Sequence, residues 1–213
     1  MAGLQTRSFV FLFMLKLGLT GGIASGKSFV AARLREMNFR VLDADQLGHK
    51  LLEHDESAYQ PVLEEFGSEI LRPDKSIDRK KLGVIVFADT QKLARLNSIL
   101  HPRIEKAMRV QFTQWENENP HDPVFVEAAL LIEAGMHKRL DGLVVTSCKP
   151  EQQIERLVAR GLTETEARRR IALQLPNDEK LKLATYAIDT SGTMEDTQVQ
   201  LAALAGKLRA AQN

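Results

Sequence analysis

Leu15-Lys16-Leu17-Gly18-Leu19-Thr20 runs straight into Gly21-Gly22-Ile23-Ala24-Ser25-Gly26-Lys27-Ser28. The first six residues read as a strand. The next eight match G-x-x-x-x-G-K-[ST] in full. Lys27 to Met37 then carries Val30, Leu34 and Met37 at helical spacing. Strand, glycine-rich loop and helix in that order make a phosphate loop, whose successive backbone N–H groups turn inward on an anion. The helix N-terminus adds partial positive charge. In such a loop Lys27 reaches the β- and γ-phosphates, and the Ser28 hydroxyl ligates Mg²⁺. A chance glycine-rich turn is the alternative, and the flanking strand and helix argue against it.

Outward from this unit the chain alternates short apolar runs with amphipathic segments, which predicts an α/β protein. Strands are expected at Phe39 to Leu42, Val124 to Glu127, Leu143 to Ser147 and Tyr186 to Ile188. Helices are expected at Glu151 to Arg160, Thr163 to Gln174 and Glu195 to Ala211. Between Gln46 and about Asn119 only helical periodicity remains, so a helical insertion of residues 46–119 interrupts the core. Its longest helix is expected to begin at His101-Pro102, with Pro102 in the first turn, where a missing N–H costs nothing. The core would comprise residues 14–45, 120–160 and 177–211, with a lid at 161–176. Residues 1–13 read as an extension. The run Phe9 to Leu15 faintly resembles a signal peptide, but it is short and lacks a cleavage site.

Asp43 and Asp45 follow the second strand. In extended chain, residues i and i+2 face the same side, so both carboxylates would look out from the strand end. There one could take a proton from an acceptor hydroxyl; equally, Asp45 could cap the next helix. Glu127 ends its strand and is a candidate for Mg²⁺, reached through water. Glu133 reads as a candidate surface residue. Arg156, Arg160 and the run Arg168 to Arg170 could neutralise a transferring phosphoryl group or form a solvated face. The five histidines show no metal-ligand spacing.

The chain has 213 residues, enough for one domain or a core with a large insertion. Its 29 basic and 28 acidic residues give a formal charge of +1, which excludes a bulk field for sequence-independent nucleic-acid binding. The balance hides a division: residues 43–74 carry a net −7 and residues 79–109 a net +6. One cysteine, Cys148, rules out an intrachain disulfide framework and suits a reducing cytoplasm. No Asn-Lys-x-Asp element for reading guanine is present, and the short chain with one phosphate loop suits a small-molecule kinase whose lid excludes water.

Several further stretches resemble the dephospho-coenzyme A kinase family over about residues 15–206. They are Gly18-Leu19-Thr20-Gly21-Gly22-Ile23, Val41-Leu42-Asp43-Ala44-Asp45, Leu82-Gly83-Val84-Ile85-Val86-Phe87, and Leu96 to Ile104 around Leu100-His101-Pro102-Arg103. Leu130-Leu131-Ile132-Glu133, Gln153 to Leu157 with Arg160, Arg170 to Pro176, and Ile188 to Gly192 complete the set. The resemblance implies a P-loop NTPase fold with a five-stranded parallel sheet, a helical acceptor-binding insertion and a lid. It implies transfer of a phosphoryl group from MgATP to the 3′-hydroxyl of the ribose of dephospho-coenzyme A. Asp45 takes the catalytic aspartate's place, with Lys27, Arg156 and Arg160 as the other catalytic candidates. ATP would lie on Gly21 to Phe29, Arg160 and Arg170. The acceptor would meet Thr20, Asp43, Asp45, Arg79, His101, Arg103 and Leu130, with Ser28 and Glu127 toward the metal.

The sequence departs from the family pattern at Glu127-Ala128-Ala129, where Asp-Val-Pro is usual, at Ile132, where phenylalanine is usual, and at Thr190, where asparagine is usual. Ala24 replaces a common loop glycine, which the loop tolerates if its φ is negative. The expected partners are ATP and dephospho-coenzyme A, with no nucleic acid or membrane, and a monomer is expected with an oligomer left open. Another small-molecule kinase and a non-catalytic ATP-binding module are the rival readings.

Overall fold

The computed structural model describes residues 13–211. The extension expected at residues 1–13 therefore lies outside the described residues, apart from Phe13. Five parallel-sheet strands alternate with helices: β1 (Lys16–Gly21), α1 (Lys27–Glu36), β2 (Arg40–Asp43), then α2 (Ala44–Lys50), α3 (Tyr59–Phe66), α4 (Arg79–Phe87) and α5 (Thr90–Glu118). After them come β3 (Val124–Glu127), β4 (Gly142–Ser147), α6 (Pro150–Val158), α7 (Glu164–Ala172), α8 (Asn177–Lys182), β5 (Tyr186–Asp189) and α9 (Met194–Ala210). The sheet order is β2-β3-β1-β4-β5. Leu19 pairs with Glu127 on one side and with Val144 on the other. The phosphate-loop strand is thus central, and a central parallel strand is covered on both faces. This explains why β1 and β3 are buried almost throughout.

On one face Leu17 and Leu19 of β1, Phe125 of β3, Val144 of β4 and Ile188 of β5 pack against α1 and α9. Val30 and Leu34 come from α1, and Leu201, Leu204 and Leu208 from α9. Phe39 meets Phe125 edge to face, with ring centroids 5.5 Å apart. Helix ends follow local capping. Thr163 and Glu166 form a reciprocal box at α7, as do Thr193 and Asp196 at α9.

The chain through Leu42 together with Glu116 onward forms one compact unit, and Asp43–Trp115 forms a second. Within the second unit Val62, Phe66, Ile70, Leu82, Leu96 and Met108 are buried. Gly48 of α2 lets Ile104 of α5 approach: a β-carbon there would lie 3.2 Å from Ile104 Cδ1. The Tyr59 hydroxyl donates to Lys75 O at 2.5 Å.

One expectation needs correction, and one helix was not foreseen. The long helix does not begin at His101-Pro102; α5 starts at Thr90 and Pro102 lies inside it. Leu96, Ile104, Met108 and Phe112 are buried along one continuous stripe, so burial outweighs the roughly 3 kcal/mol that an interior proline costs. Arg103 Nη1 also donates to Ile99 O at 2.6 Å, beside the break in the backbone ladder. Helix α8 has no counterpart among the expected helices, because its hexamer is polar and has no apolar period.

Phe125 is fully buried in β3. Phe125→Ala is expected to lower stability by about 3–5 kcal/mol through cavity formation, read from urea denaturation. A loss below about 1 kcal/mol would contradict this packing.

Candidate functional site

The phosphate loop owes its shape to donors that pull its carbonyl groups outward. Gly22 O accepts from Ser25 N at 3.0 Å, and Gly26 O from Val30 N at 3.1 Å. Gln153 Nε2 of α6 donates to Ile23 O at 2.7 Å. Arg156 Nη1, one turn further along α6, donates to Ala24 O at 3.2 Å. The Thr190 hydroxyl lies 3.0 Å from Ser25 O and 3.1 Å from Ser147 O. It has one proton. Ser25 O is the nearer of the two acceptors. Of five consecutive carbonyls, those of Ile23, Ala24 and Ser25 are held by side chains from outside the loop, and those of Gly22 and Gly26 by backbone N–H groups of the loop and of α1.

The N–H groups divide in two. Gly22 N donates to Asn177 Oδ1 at 3.2 Å, and Ile23 N to Gln174 Oε1 at 2.7 Å. Among the described residues, no acceptor is paired with the N–H groups of Ala24, Gly26, Lys27 or Ser28. Those four, at the N-terminus of α1, form the cradle for an anion.

Glycine is needed at two points. A β-carbon on Gly21 would lie 2.6 Å from Thr146 O, and Gly26 has φ 85°. Ala24 also sits in the left-handed region, at φ 60°, so the condition under which alanine is tolerated without strain is not met. An L-residue there costs about 1–2 kcal/mol. The grip of Arg156 on Ala24 O helps to hold it. Below the loop, Thr146 Oγ1 donates to Thr20 O at 3.3 Å and accepts from Ser25 Oγ at 2.7 Å.

Lys27 Nζ pairs with Glu127 Oε1 at 2.7 Å, and Arg35 Nη2 lies 3.4 Å from Glu127 Oε2. The side chain of Glu127 is 5% exposed. An ammonium has three donors, so the pair to Glu127 leaves two for phosphate oxygens. The exposed Ser28 hydroxyl and the Glu127 carboxylate are hard oxygen donors of the kind Mg²⁺ takes, alongside waters and phosphate. No group of three acidic, His or Cys ligands occurs among the described residues. Mg²⁺ at a nucleotide does not require one.

Beside the loop lies a cavity of about 240 Å³, lined by Ala24, Gly26, Phe29, Arg156, Arg160 and Thr190. The Arg156 fork is engaged: Nη2 donates to Thr190 O at 2.7 Å and Nη1 to Thr190 Oγ1 at 3.1 Å. Arg160 is exposed, and no acceptor pairs with its guanidinium among the described residues. Arg170 is exposed at the end of α7. Burial raises the Cys148 thiol above its ordinary pKa.

Thr20 Oγ1 donates to Ala129 O at 3.4 Å in the turn after β3, where Leu130 is exposed. The same carbonyl takes a bond from Lys180 Nζ at 3.3 Å. Lys180 is fully buried and pairs with Glu133 Oε1 at 2.8 Å, so Glu133 is not a plain surface residue. Removing one partner of such a pair costs about 3–5 kcal/mol. Nothing in the polar run Asn177-Asp178-Glu179-Lys180 announces a buried ammonium. Gln153, Gln174 and Asn177 are equally silent as loop-shaping residues.

In the second unit Asp43, not Asp45, caps α2, its Oδ1 accepting from Gln46 N at 2.9 Å. Asp43 ends a strand and Asp45 lies in the first turn of a helix, so strand alternation does not relate them. Asp45 and His49 stand one helical turn apart on α2. Burial, then the charge of Arg79, lowers the His49 pKa against the opposing pull of Asp45 and Asp43. These four side chains therefore share one neighbourhood. Arg103 is used structurally, its Nε donating to Ser57 O at 2.9 Å, and His101 lies within α5.

A phosphate loop on a parallel sheet of this order, with a basic helix after the core strand, defines a P-loop kinase fold. A family model for dephospho-CoA kinase matches residues 15–196. The chain belongs to the dephospho-CoA kinase family. It is 43% identical over 186 residues to a dephospho-CoA kinase of Carboxydothermus hydrogenoformans, covering 87% of this chain and 90% of that one. It is 39% identical to a dephospho-CoA kinase of Corynebacterium glutamicum, covering 92% and 98%. A solved structure of dephospho-CoA kinase from Campylobacter jejuni superposes with a TM-score of 0.68 at 27% identity, covering 91% and 96%. No helix among the described residues is long and apolar enough to cross a membrane.

Ala24→Gly is expected to raise stability by about 0.5–1 kcal/mol, since relief of the positive φ exceeds the added chain entropy. A rise in thermal midpoint checks this, and a fall would show that the left-handed Ala24 carries no strain.

Proposed function

We propose that this chain transfers the γ-phosphoryl group of MgATP to the ribose 3′-hydroxyl of dephospho-coenzyme A. The observation that carries the reading is the divided phosphate loop: four N–H groups open to an anion, with the Lys27 ammonium fixed beside them by Glu127. The β- and γ-phosphates lie on those N–H groups, and Lys27 follows the charge as it moves to the leaving oxygen. The transition state is loose, so position and charge matter more than base strength. Ser28 and Glu127 are the residues that would hold Mg²⁺, which supplies charge neutralisation on the phosphates. The nucleoside occupies the cavity beside Phe29 and Thr190. Arg156 shapes that cavity, and Arg160 meets the nucleotide. Arg170, on the lid segment, approaches the transferring group.

The acceptor side rests on family membership and on the cluster in the second unit. The net +6 of residues 79–109 suits an acceptor carrying phosphates. Asp45 orients the 3′-hydroxyl and receives its proton. As the ribose oxygen bonds to the γ-phosphorus, the bond to the bridging oxygen breaks and ADP leaves. No phospho-enzyme forms. The acceptor-binding candidates are Thr20 and Leu130 in the first unit, and Asp43, Arg79, His101 and Arg103 in the second. The enzyme acts as a monomer in the cytoplasm.

Incubation with MgATP and dephospho-coenzyme A should add one phosphoryl mass to the acceptor, read by mass spectrometry; shikimate or a nucleoside monophosphate should stay unchanged. No mass gain sinks the reading. Asp45→Asn should lower kcat about 100- to 10,000-fold while MgATP affinity changes little. Near-normal turnover would remove Asp45 from the chemistry.

A further inference from the structure

Two adjacent N–H groups of the phosphate loop are bound by side chains from one short connection. Gln174 directly follows α7 and its C-terminal Leu173, and Asn177 opens α8. Their amide oxygens accept from Ile23 N and Gly22 N. The connection is fixed from behind. Glu133 Oε1 accepts from Leu175 N at 3.1 Å and pairs with the fully buried Lys180 of α8. Lys180 also donates to Ala129 O, in the turn after β3.

We infer that Gln174 is a positioning residue that ties the arginine-bearing helix α7 to the phosphate loop and holds that loop in its nucleotide-ready form. The inference deepens the proposed function and rests on ATP being the loop's ligand. Its logic lies in the division of the N–H groups. Gln174 and Asn177 occupy the first two, and the four at Ala24, Gly26, Lys27 and Ser28 are left open. The connection therefore does not compete with an anion for the cradle. It fixes the near end of the loop, while Gln153 fixes the Ile23 carbonyl at 2.7 Å. Ile23 is clamped through both its N–H and its C=O, which sets the orientation of the peptide leading to Ala24. Because Gln174 lies just beyond the end of α7, the last turn of that helix and the loop cannot shift independently while the bond is made. Lys180 and Glu133 supply the fixed point. A half-exposed glutamine bonded only through solvent would do none of this.

The test uses the full chain and Gln174→Met, which keeps the arm's length and removes the acceptor. Hydrogen exchange of the loop peptide, MgATP affinity by calorimetry without acceptor, and the thermal midpoint are measured together. Loop exchange should quicken and MgATP Kd should rise about 3- to 10-fold, the size of one hydrogen bond, with the midpoint nearly unchanged. Gln174→Glu keeps an oxygen acceptor and should restore slow exchange, although its charge weakens ATP binding. Unchanged exchange overturns the coupling. Faster exchange with unchanged MgATP affinity overturns the positioning role. A Kd rise matched by a large fall in midpoint makes the residue merely structural and overturns it as well. Exchange is read without any phosphoryl acceptor, so a chain that fails to phosphorylate dephospho-coenzyme A still decides the role of Gln174.

Discussion

The restraint of the phosphate-loop carbonyls is the constraint on which the site depends. A peptide's N–H and C=O point in opposite directions, so holding the carbonyls of Ile23, Ser25 and Gly26 turns the N–H groups of Ala24, Gly26 and Lys27 the other way. In this chain the holding groups are Gln153, Arg156 and Thr190, with Ser25 N and Val30 N from the backbone. They come from α6, from the end of β5, from α1 and from the loop itself. A preorganised cradle of this kind need not reorganise when charge develops, which is where an electrostatic site gains most. The left-handed Ala24 and Gly26 belong to the same geometry.

Charge around the cradle is arranged in two ion pairs at different depths. Lys27 and Glu127 sit at the loop with both side chains mostly buried. Lys180 and Glu133 sit behind the turn that follows β3, with the ammonium fully enclosed. The first pair holds a cation beside the open N–H groups of the loop, and the second fixes backbone. Glutamate at 127 suits the first job because its longer arm reaches Lys27 Nζ at 2.7 Å from the end of a central strand. Thr190 is suited to its place in a similar way. Its hydroxyl bridges Ser25 O and Arg156 Nη1, while its methyl packs toward Gly26.

The core of the fold was legible because the phosphate-loop signature, two apolar strands and the helical stretch after Asp45 each carry a local signal. The five strands lie within about a residue or two of where apolar runs placed them. What escaped was non-local. Pro102 signals a helix start by itself, and only burial of Leu96 on one side and Ile104 on the other makes it interior. Ala24 has no local reason to take a positive φ; Arg156, distant in sequence, grips its carbonyl. Lys180 looks like solvent-facing polarity until Glu133 and Ala129 are brought to it. In the candidate site the loop, Lys27 and Glu127 followed from the motif and the strand end. Gln153, Gln174 and Asn177 did not, because a glutamine or asparagine that holds backbone has no spacing rule.

The position of β1 at the middle of the sheet has a consequence for biosynthesis. Its neighbours are β3, starting at Val124, and β4, ending at Ser147. A ribosome adding about 5–20 residues per second leaves this apolar strand without its full set of partners for roughly 6–25 s after it emerges. During that interval the second compact unit, Asp43–Trp115, is made in full, and its internal contacts are its own. It can condense first and shorten the effective gap that the sheet must close. The strand leading into the phosphate loop is thus made well before β3 and β4, the strands that flank it, and it stays open to chaperones and to aggregation until they arrive.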